Sequence, residues 1–564
     1  MKAILNIICL LLLLLFSQIE GQTTYRFFVN KINLPVNNKG NIANVNIPDP
    51  DPIINGAGAK YDENVFLFNS GFFLSGNANG NFFSTCIAEI YNDYLPGIVG
   101  SLPEDPINSI YVVSADDEPF SQSWQNWKNA VLLGADFYDG NNNGIYDPID
   151  LNNNSIWDLN EDMPPILGEQ IAWCVYNDGV PTEQKQYNAA PFGIEIQQTL
   201  FASKLQGFEN IIFIKYKITN TGLVTDVIDS VYFSPWDDMD IGDPPDDLSG
   251  CDTILNSVFT YNSGNDDQYG INPPAVFTSI LQGPVSFTNS PGDKAYIRNG
   301  FMLGQKELIG YKNLGLYSFA GYAKNSPGQS FPATLDYVKN YISGKDGFGN
   351  YLNPCDSLWG NVFGNIDCNS VNPVYWFSGD PVTEIGWIDI RSLDDRKFSS
   401  TGPFKLEKDK PIEIILALIV GRGSDALNSI TKARDNVLIA INEYENNFYN
   451  LTYKINSTID PLSGYNLFQN YPNPFNSATK IKYSIPPTDN SLLGRASGGF
   501  VTLKIYDVLG NEIATLVNEE KLPGVYEVEF NGHSDKGQNL SSGVYFYQLK
   551  TGNYITTKKM INLK

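Results

Sequence analysis

The sequence predicts a mainly β, multi-domain chain, with a β-sandwich body carrying long loops and a few helices, followed by a small C-terminal immunoglobulin-like β-sandwich. Three observations predict it. Short runs of apolar residues alternate with polar ones at a period of two, the pattern of half-buried strands. Long loops rich in Asn, Gly, Pro and Asp separate these runs, which favours antiparallel sandwiches over βαβ units. The charge balance also changes near Pro461. Residues 461–564 carry 10 Lys and Arg against 8 Asp and Glu, whereas residues 22–460 carry 26 against 53.

The first element is a targeting segment. Met1-Lys2 is a short basic start, Ile4 to Phe16 is almost unbroken apolar chain, and Ser17 to Gly21 turns polar and ends on a small residue. That order reads as a secretory signal peptide over residues 1–21, cleaved before Gln22. The apolar run is shorter than the ~20 residues that span a bilayer. Cys9 lies inside the run rather than after it, which argues against a lipid anchor. No later stretch reads as a membrane-spanning segment. A formal charge of −25 argues against nucleic acid or anionic membrane as partner, since both need clustered Lys and Arg.

In the body, residues 22–455, two helices are expected. Trp124, Trp127 and Val131 recur at helical spacing over 123–133, and Ile430, Ala433, Val437 and Ile441 do so over 424–446, behind a Ser424-Asp425 cap. The clearest strand is 212–219, with Ile212, Ile214, Tyr216 and Ile218 on one face and Lys215 and Lys217 on the other. After the turn Asn220-Thr221-Gly222, residues 227–233 read as its hairpin partner. From Glu413 to Val420 the chain is more uniformly apolar and suits a central sandwich strand. Cys355 and Cys368 flank a short loop and form the expected disulfide. Cys86, Cys174 and Cys251 read equally well as buried thiols.

The most informative body segment is 136–162, with seven acidic residues and no Lys or Arg. Asp139, Asn141, Asn143, Asp147 and Asp150 stand at positions one, three, five, nine and twelve of a calcium loop, with Gly144 at six and the Ile145 carbonyl at seven. The pattern restarts at Asp150, followed by Asn152, Asn154, Ile156, Asp158 and Glu161, with Ser155 in the glycine position, so that Asp150 is expected to serve both loops. Met163-Pro164-Pro165 forbids the helix of an EF-hand. The cofactor expected is structural calcium.

A second acidic stretch, 236–267, holds nine Asp and no basic residue. It reads either as solvated loops or as the paired carboxylates of a glycosidase-like cleft, with Trp236 and Tyr261 stacking on sugar. The one histidine, His533, lies in the C-terminal domain. The body therefore has no means of building a Ser-His-Asp triad, a Cys-His pair or a His-ligated metal site.

After a linker at 456–463, residues 464–564 contain five strand-like runs, 480–485, 501–508, 525–530, 544–549 and 554–563, with a polar insertion at 489–499. Five motifs occur there in order: Asn470-Tyr471-Pro472-Asn473-Pro474-Phe475-Asn476, Ile505 to Glu512 through Gly510, Gly524-Val525-Tyr526, Ser541 to Tyr547 through Gly543 and Tyr545, and Lys558-Lys559-Met560-Ile561. Together they closely resemble the type A C-terminal sorting domain of the type IX secretion system of Bacteroidetes and related phyla. The resemblance implies export across the outer membrane, the type IX machinery as partner, and a final location at the cell surface or in the medium. The body is similar to the uncharacterised acidic bodies of such secreted proteins. It is expected to act without catalysis, in adhesion, polymer binding or surface-layer structure, on polysaccharide or other surface components. The alternative is a carboxylate-dependent glycoside hydrolase or polysaccharide lyase.

Overall fold

A computed structural model describes residues 21–323, 330–391, 394–452, 465–470, 472–486, 499–521, 524–532 and 540–563. Residues 1–20 of the expected signal peptide, the expected linker, most of the insertion and His533 lie outside the described residues.

The body is built on two antiparallel sheets. The larger runs in the order Asp247–Asp252, Ser257–Asn262, Ala275–Gln282, Ile412–Gly421, Ile211–Asn220, Ile194–Ala202, Gln170–Asn177 and Leu95–Pro96, with Tyr111–Ser114 also pairing with Gln170–Asn177. The smaller runs Ser318–Ala323, Asp395–Glu407, Val227–Asp238, Asn69–Ala78, Asn81–Ala88 and Tyr91–Asn92. Their facing sides form one core. Tyr216 of the larger sheet meets Phe72 and Phe233 of the smaller at ring separations of 5.6 and 5.1 Å.

Strand Ile412–Gly421 lies at the centre of the larger sheet, between Ala275–Gln282 and Ile211–Asn220. Its even residues Ile414, Leu416, Leu418 and Val420 face the inter-sheet core. Its odd residues Ile415, Ala417 and Ile419 face a second core, covered by helices Gln122–Leu132 and Ala426–Glu445. Burial on both faces is why this run is apolar without alternation. Each fully buried aliphatic side chain of this kind stabilises by roughly 1.5–3 kcal/mol.

Strand Ile211–Asn220 forms where the alternation places it, but residues 227–233 are not its hairpin partner. They open strand Val227–Asp238 of the other sheet, which pairs with Asn69–Ala78 and Asp395–Glu407. Both edges of Ile211–Asn220 are already taken by Ile194–Ala202 and Ile412–Gly421, so the turn carries the chain across the sandwich. Lys215 and Lys217 point away from the inter-sheet core into ion pairs: Lys215 reaches Glu413 at 2.7 Å and Lys217 reaches Asp136 at 2.9 Å.

The two expected helices appear at Gln122–Leu132 and Ala426–Glu445, the second capped by the Asp425 side chain accepting from the Asn428 amide. A third, Leu335–Ile342, is capped by Thr334 and is too short to announce itself by periodicity. Cys355 and Cys368 are joined in a disulfide, and Cys86, Cys174 and Cys251 are buried free thiols. No helix among the described residues is long and apolar enough to cross a membrane.

The C-terminal domain is a sandwich of a three-stranded sheet (Asn466–Leu467, Thr479–Ile485, Gly524–Phe530) and a four-stranded sheet (Glu512–Lys521, Gly499–Tyr506, Gly543–Thr551, Tyr554–Asn562) around its own core. Strand Glu512–Lys521 escapes the sequence pattern. It is an edge strand ending in Glu519-Glu520-Lys521, and charge on an edge is how such strands avoid pairing with other chains.

Candidate functional site

The acidic segment folds as two loops that repeat one set of side-chain-to-amide bonds. In the first, Asp139 accepts hydrogen bonds from the Asn143 and Gly144 amides, Asn141 from Asn143, and Asn143 from Ile145. In the second, eleven residues on, Asp150 accepts from the Asn154 and Ser155 amides, Asn152 from Asn154, and Asn154 from Ile156. Gly144 and Ser155 occupy the same left-handed turn, at φ 75° and 60°. Serine carries a steric cost there that glycine does not. Position eight anchors each loop: Tyr146 donates to the Trp124 carbonyl, and the Trp157 ring packs edge-on against Tyr138 at 5.4 Å.

The loops differ from the sequence pattern in how they close. Glu161 closes the second, accepting from the Leu151 and Asp158 amides. The equivalent bonds in the first, from Gly140 and Asp147, go to Asp162. Asp150 binds amides of the second loop alone. Asp162 is thus the residue that spacing did not reveal, although the Glu161-Asp162 doublet at the end of the acidic run was its signal. Both closing side chains are buried, and burial pushes the Asp162 carboxyl up against the pull of the backbone amides that face it. Asp147 also pairs with Lys128 at 2.9 Å, and the Asn152 and Asn154 side-chain amides both donate to Asp158.

The second acidic stretch has a different character. Trp236 and Tyr261 are 0% and 2% exposed, so neither ring is available to stack on a sugar. Trp236 instead donates to the Tyr322 hydroxyl, two strands away in the same sheet. Asp238, Asp240 and Asp394 bring one oxygen each within 4.8 Å of one another. Arg396 crosses this group, 3.1 Å from Asp238 and 2.5 Å from Asp394. Burial, only partly offset by Arg396, pushes Asp238 up to about 7, and burial with the Asp394 charge pushes Asp240 up to about 6. Behind them Lys397 is buried among Asp237, Asp247 and Asp395, and burial pulls its ammonium down to about 8.

A pH dependence follows. Both folded carboxyl values lie above the ~3.9 of an unfolded aspartate, so their protonated forms stabilise the fold fully below that value. The contribution is lost as pH rises through 6 and 7. Replacing Asp240 with Asn is expected to make the fall in Tm between about pH 5 and pH 7.5 shallower, by the equivalent of roughly 1–2 kcal/mol. An unchanged slope would show that Asp240 does not titrate in that window.

In the C-terminal domain the Asn470–Asn476 motif braces the last strand. The Asn470 amide donates to the Tyr547 hydroxyl, and its side chain donates to Thr479 and to the Pro472 carbonyl. Asn473 accepts from the Ile561 amide, while Phe475, buried against Phe530, exchanges main-chain bonds with Ile561 and Leu563. Gly510 makes the turn at φ 83°, where Asp507 accepts from the Leu509 and Asn511 amides. Gly543 opens the strand that carries Tyr545, whose hydroxyl donates to the Ser541 carbonyl. Pro472 and Lys559 are exposed and Lys558 is half-buried, with Lys558 and Lys559 paired in register to Tyr547 and Phe546.

Residues 469–563 match the family model described as the secretion system C-terminal sorting domain. The C-terminal domain is a type IX sorting domain. The sorting domain marks the protein as secreted or displayed on the cell surface through the type IX system. No curated protein matches the chain. Among solved structures, a polysaccharide lyase aligns at 6% identity and TM-score 0.18, over 65% of this chain and 34% of that one. The dimeric latent PorU of Porphyromonas gingivalis aligns at 8% identity and TM-score 0.14, over 63% and 31%. The adhesin domain of Epf from Streptococcus pyogenes aligns at 10% identity and TM-score 0.12, over 62% and 90%. The chain thus spans about a third of the length of the first two, and at these scores the likenesses carry nothing about its activity.

Proposed function

We propose that the body is a calcium-stabilised, non-catalytic module that acts outside the cell in adhesion, polymer binding or the surface layer. The observation that supports it is the repetition, eleven residues apart, of one set of side-chain-to-amide bonds with two buried closing carboxylates. Calcium takes six to eight hard oxygen ligands, and alternate residues of a tight loop supply them. Asp139, Asn141, Asn143, the Ile145 carbonyl, Asp147 and Asp162 would hold one ion. Asp150, Asn152, Asn154, the Ile156 carbonyl, Asp158 and Glu161 would hold the other. Asparagine in place of aspartate lowers the charge of each site and fits the weak sites of extracellular modules.

Calcium at a hundred times its Kd should stabilise the chain by about 2.7 kcal/mol per site. Asp162→Ala and Asp150→Ala should each remove one site's share of the rise in Tm. No rise on adding calcium to chelated protein would leave the loops as plain turns. The ligand is tested by mixing the protein with insoluble polysaccharides, with calcium or chelator, and measuring what stays in solution. Calcium-dependent depletion by one polymer identifies the ligand class, and no depletion by any shifts the role to protein binding or surface structure.

The second reading, a carboxylate-dependent hydrolase or lyase, is favoured by Asp238 and Asp240, whose carboxyls titrate in the range a general acid uses. Reducing ends or unsaturated sugars released from the depleting polymer would establish it.

A further inference from the structure

Lys185 follows the short helix Thr182–Gln184 in the connection between strands Gln170–Asn177 and Ile194–Ala202. Its side chain is 0% exposed, and among the described residues its ammonium makes no hydrogen bond. Asp178, with its side chain 1% exposed, places Oδ2 3.9 Å away. An ammonium taken from water without hydrogen bonds is costly to bury, and an ion pair at that distance offsets little of the cost. Lys215, less deeply placed, reaches its carboxylate at 2.7 Å. Burial accordingly pulls the Lys185 ammonium down and pushes the Asp178 carboxyl up, towards the uncharged form of each.

Three main-chain amides hold the Asp178 carboxyl. Oδ1 accepts from Gly193 and Ile194 at 3.0 and 2.9 Å, and Oδ2 accepts from Phe192 at 2.6 Å. Two amides converging on one oxygen are the donor pair that stabilises the oxyanion of an acyl transfer. Asp93, also buried, accepts from the Gln186 amide next to Lys185, and its charge reaches the ammonium.

We propose that the folded chain joins Lys185 to Asp178 through an isopeptide bond, closing this connection into a covalent ring. The uncharged Lys185 amine attacks Cγ of the protonated Asp178 side chain. The Nζ–Cγ bond forms while negative charge builds on Oδ1, between the Gly193 and Ile194 amides. Asp93 is the base that takes one proton from Nζ and returns it to the Oδ2 hydroxyl. The Cγ–Oδ2 bond then breaks and one water leaves, so amine and carboxylic acid become amide and water with no other reactant. The product carries no charge, which removes the buried ammonium. The ring spans the exposed residues Pro181, Glu183 and Gln184, so a proteolytic cut there outside the cell would leave the two ends joined.

The test is mass spectrometry of the full-length chain, folded, then denatured and digested with a protease that cuts after glutamate. Cuts at Glu169, Glu183 and Glu195 separate residues 170–183, which hold Asp178, from residues 184–195, which hold Lys185. In wild type the two pieces should be recovered as one species, lighter than their sum after the cut at Glu183 by one water. In Lys185→Met they should separate at full mass, and in Asp93→Asn the joined fraction should fall about tenfold or more. Separate pieces from wild type would overturn the proposal. That includes a 170–183 piece lighter by one water on its own, the mark of ring closure at Asp178-Gly179 instead. Joined pieces at the wild-type level in Asp93→Asn would overturn the part given to Asp93. The wild-type digest needs no variant, so a variant that fails to fold cannot mask the result.

Discussion

A chain lacking Gly543–Lys564 will stay in the periplasm. The deletion removes strand Gly543–Thr551, which lies between Gly499–Tyr506 and the last strand, and with it the last strand itself. Tyr547, Leu549 and Met560 leave the core of the sorting domain, and the Asn470–Asn476 segment loses the Ile561 and Leu563 amides that fix it. What remains is an open sheet with an unpaired edge, which no longer presents a folded signal and is prone to associate with other chains. Fractionation with an antibody to the body measures this directly. Surface display of the truncated chain at the normal level would mean that the sorting information lies elsewhere. A milder form, Phe475→Ala, should cost about 3–5 kcal/mol of the domain's stability and reduce export in proportion.

Trp236→Ala will lower the stability of the body by about 3–5 kcal/mol, the usual cost of emptying a large aromatic site in a core. Trp236 is fully buried, pairs across strands with Gly71 and Phe398, and donates to the Tyr322 hydroxyl, which would lose that bond as well. The result separates two roles for this ring. A sugar-stacking tryptophan on a surface would lose ligand with Tm nearly unchanged, whereas a core tryptophan loses Tm first. Thermal denaturation of the variant at one fixed calcium concentration decides it, and a shift within error would contradict the burial described here.

The sequence was most legible where one physical constraint acts alone. The run 414–420 is apolar on both faces because both faces are covered, and nothing but a central strand suits it. The Asn470–Asn476 motif was legible because Asn470 ties it to Tyr547, and Asn473 and Phe475 hold the final strand. Pairing was less legible. Residues 227–233 sit one short turn after Ile211–Asn220, and local spacing cannot tell a hairpin from a crossing between sheets, since that depends on which distant strands have taken both edges. The acidic loops were legible by position up to their closure. Asp162 escaped because the chain returns to close the first loop from 23 positions after Asp139, beyond the twelve-residue frame. Trp236 and Tyr261 resembled site residues because aromatic and acidic residues in one stretch look alike whether the rings face water or a core.

The place of strand Ile412–Gly421 at the middle of the larger sheet has a kinetic consequence. Its two neighbours, Ala275–Gln282 and Ile211–Asn220, are well over a hundred residues earlier in the chain, and they do not pair with each other. Until residues near 421 have been made, the sheet exists as two separate halves with open inner edges. Closing loops of that length before any pairing rewards them makes folding slow, as in other topologies of high contact order. During that interval the inner edges of both halves are exposed to pairing with other chains. The body should therefore refold as one late, concerted step, and fragments that stop short of residue 412 should aggregate rather than fold.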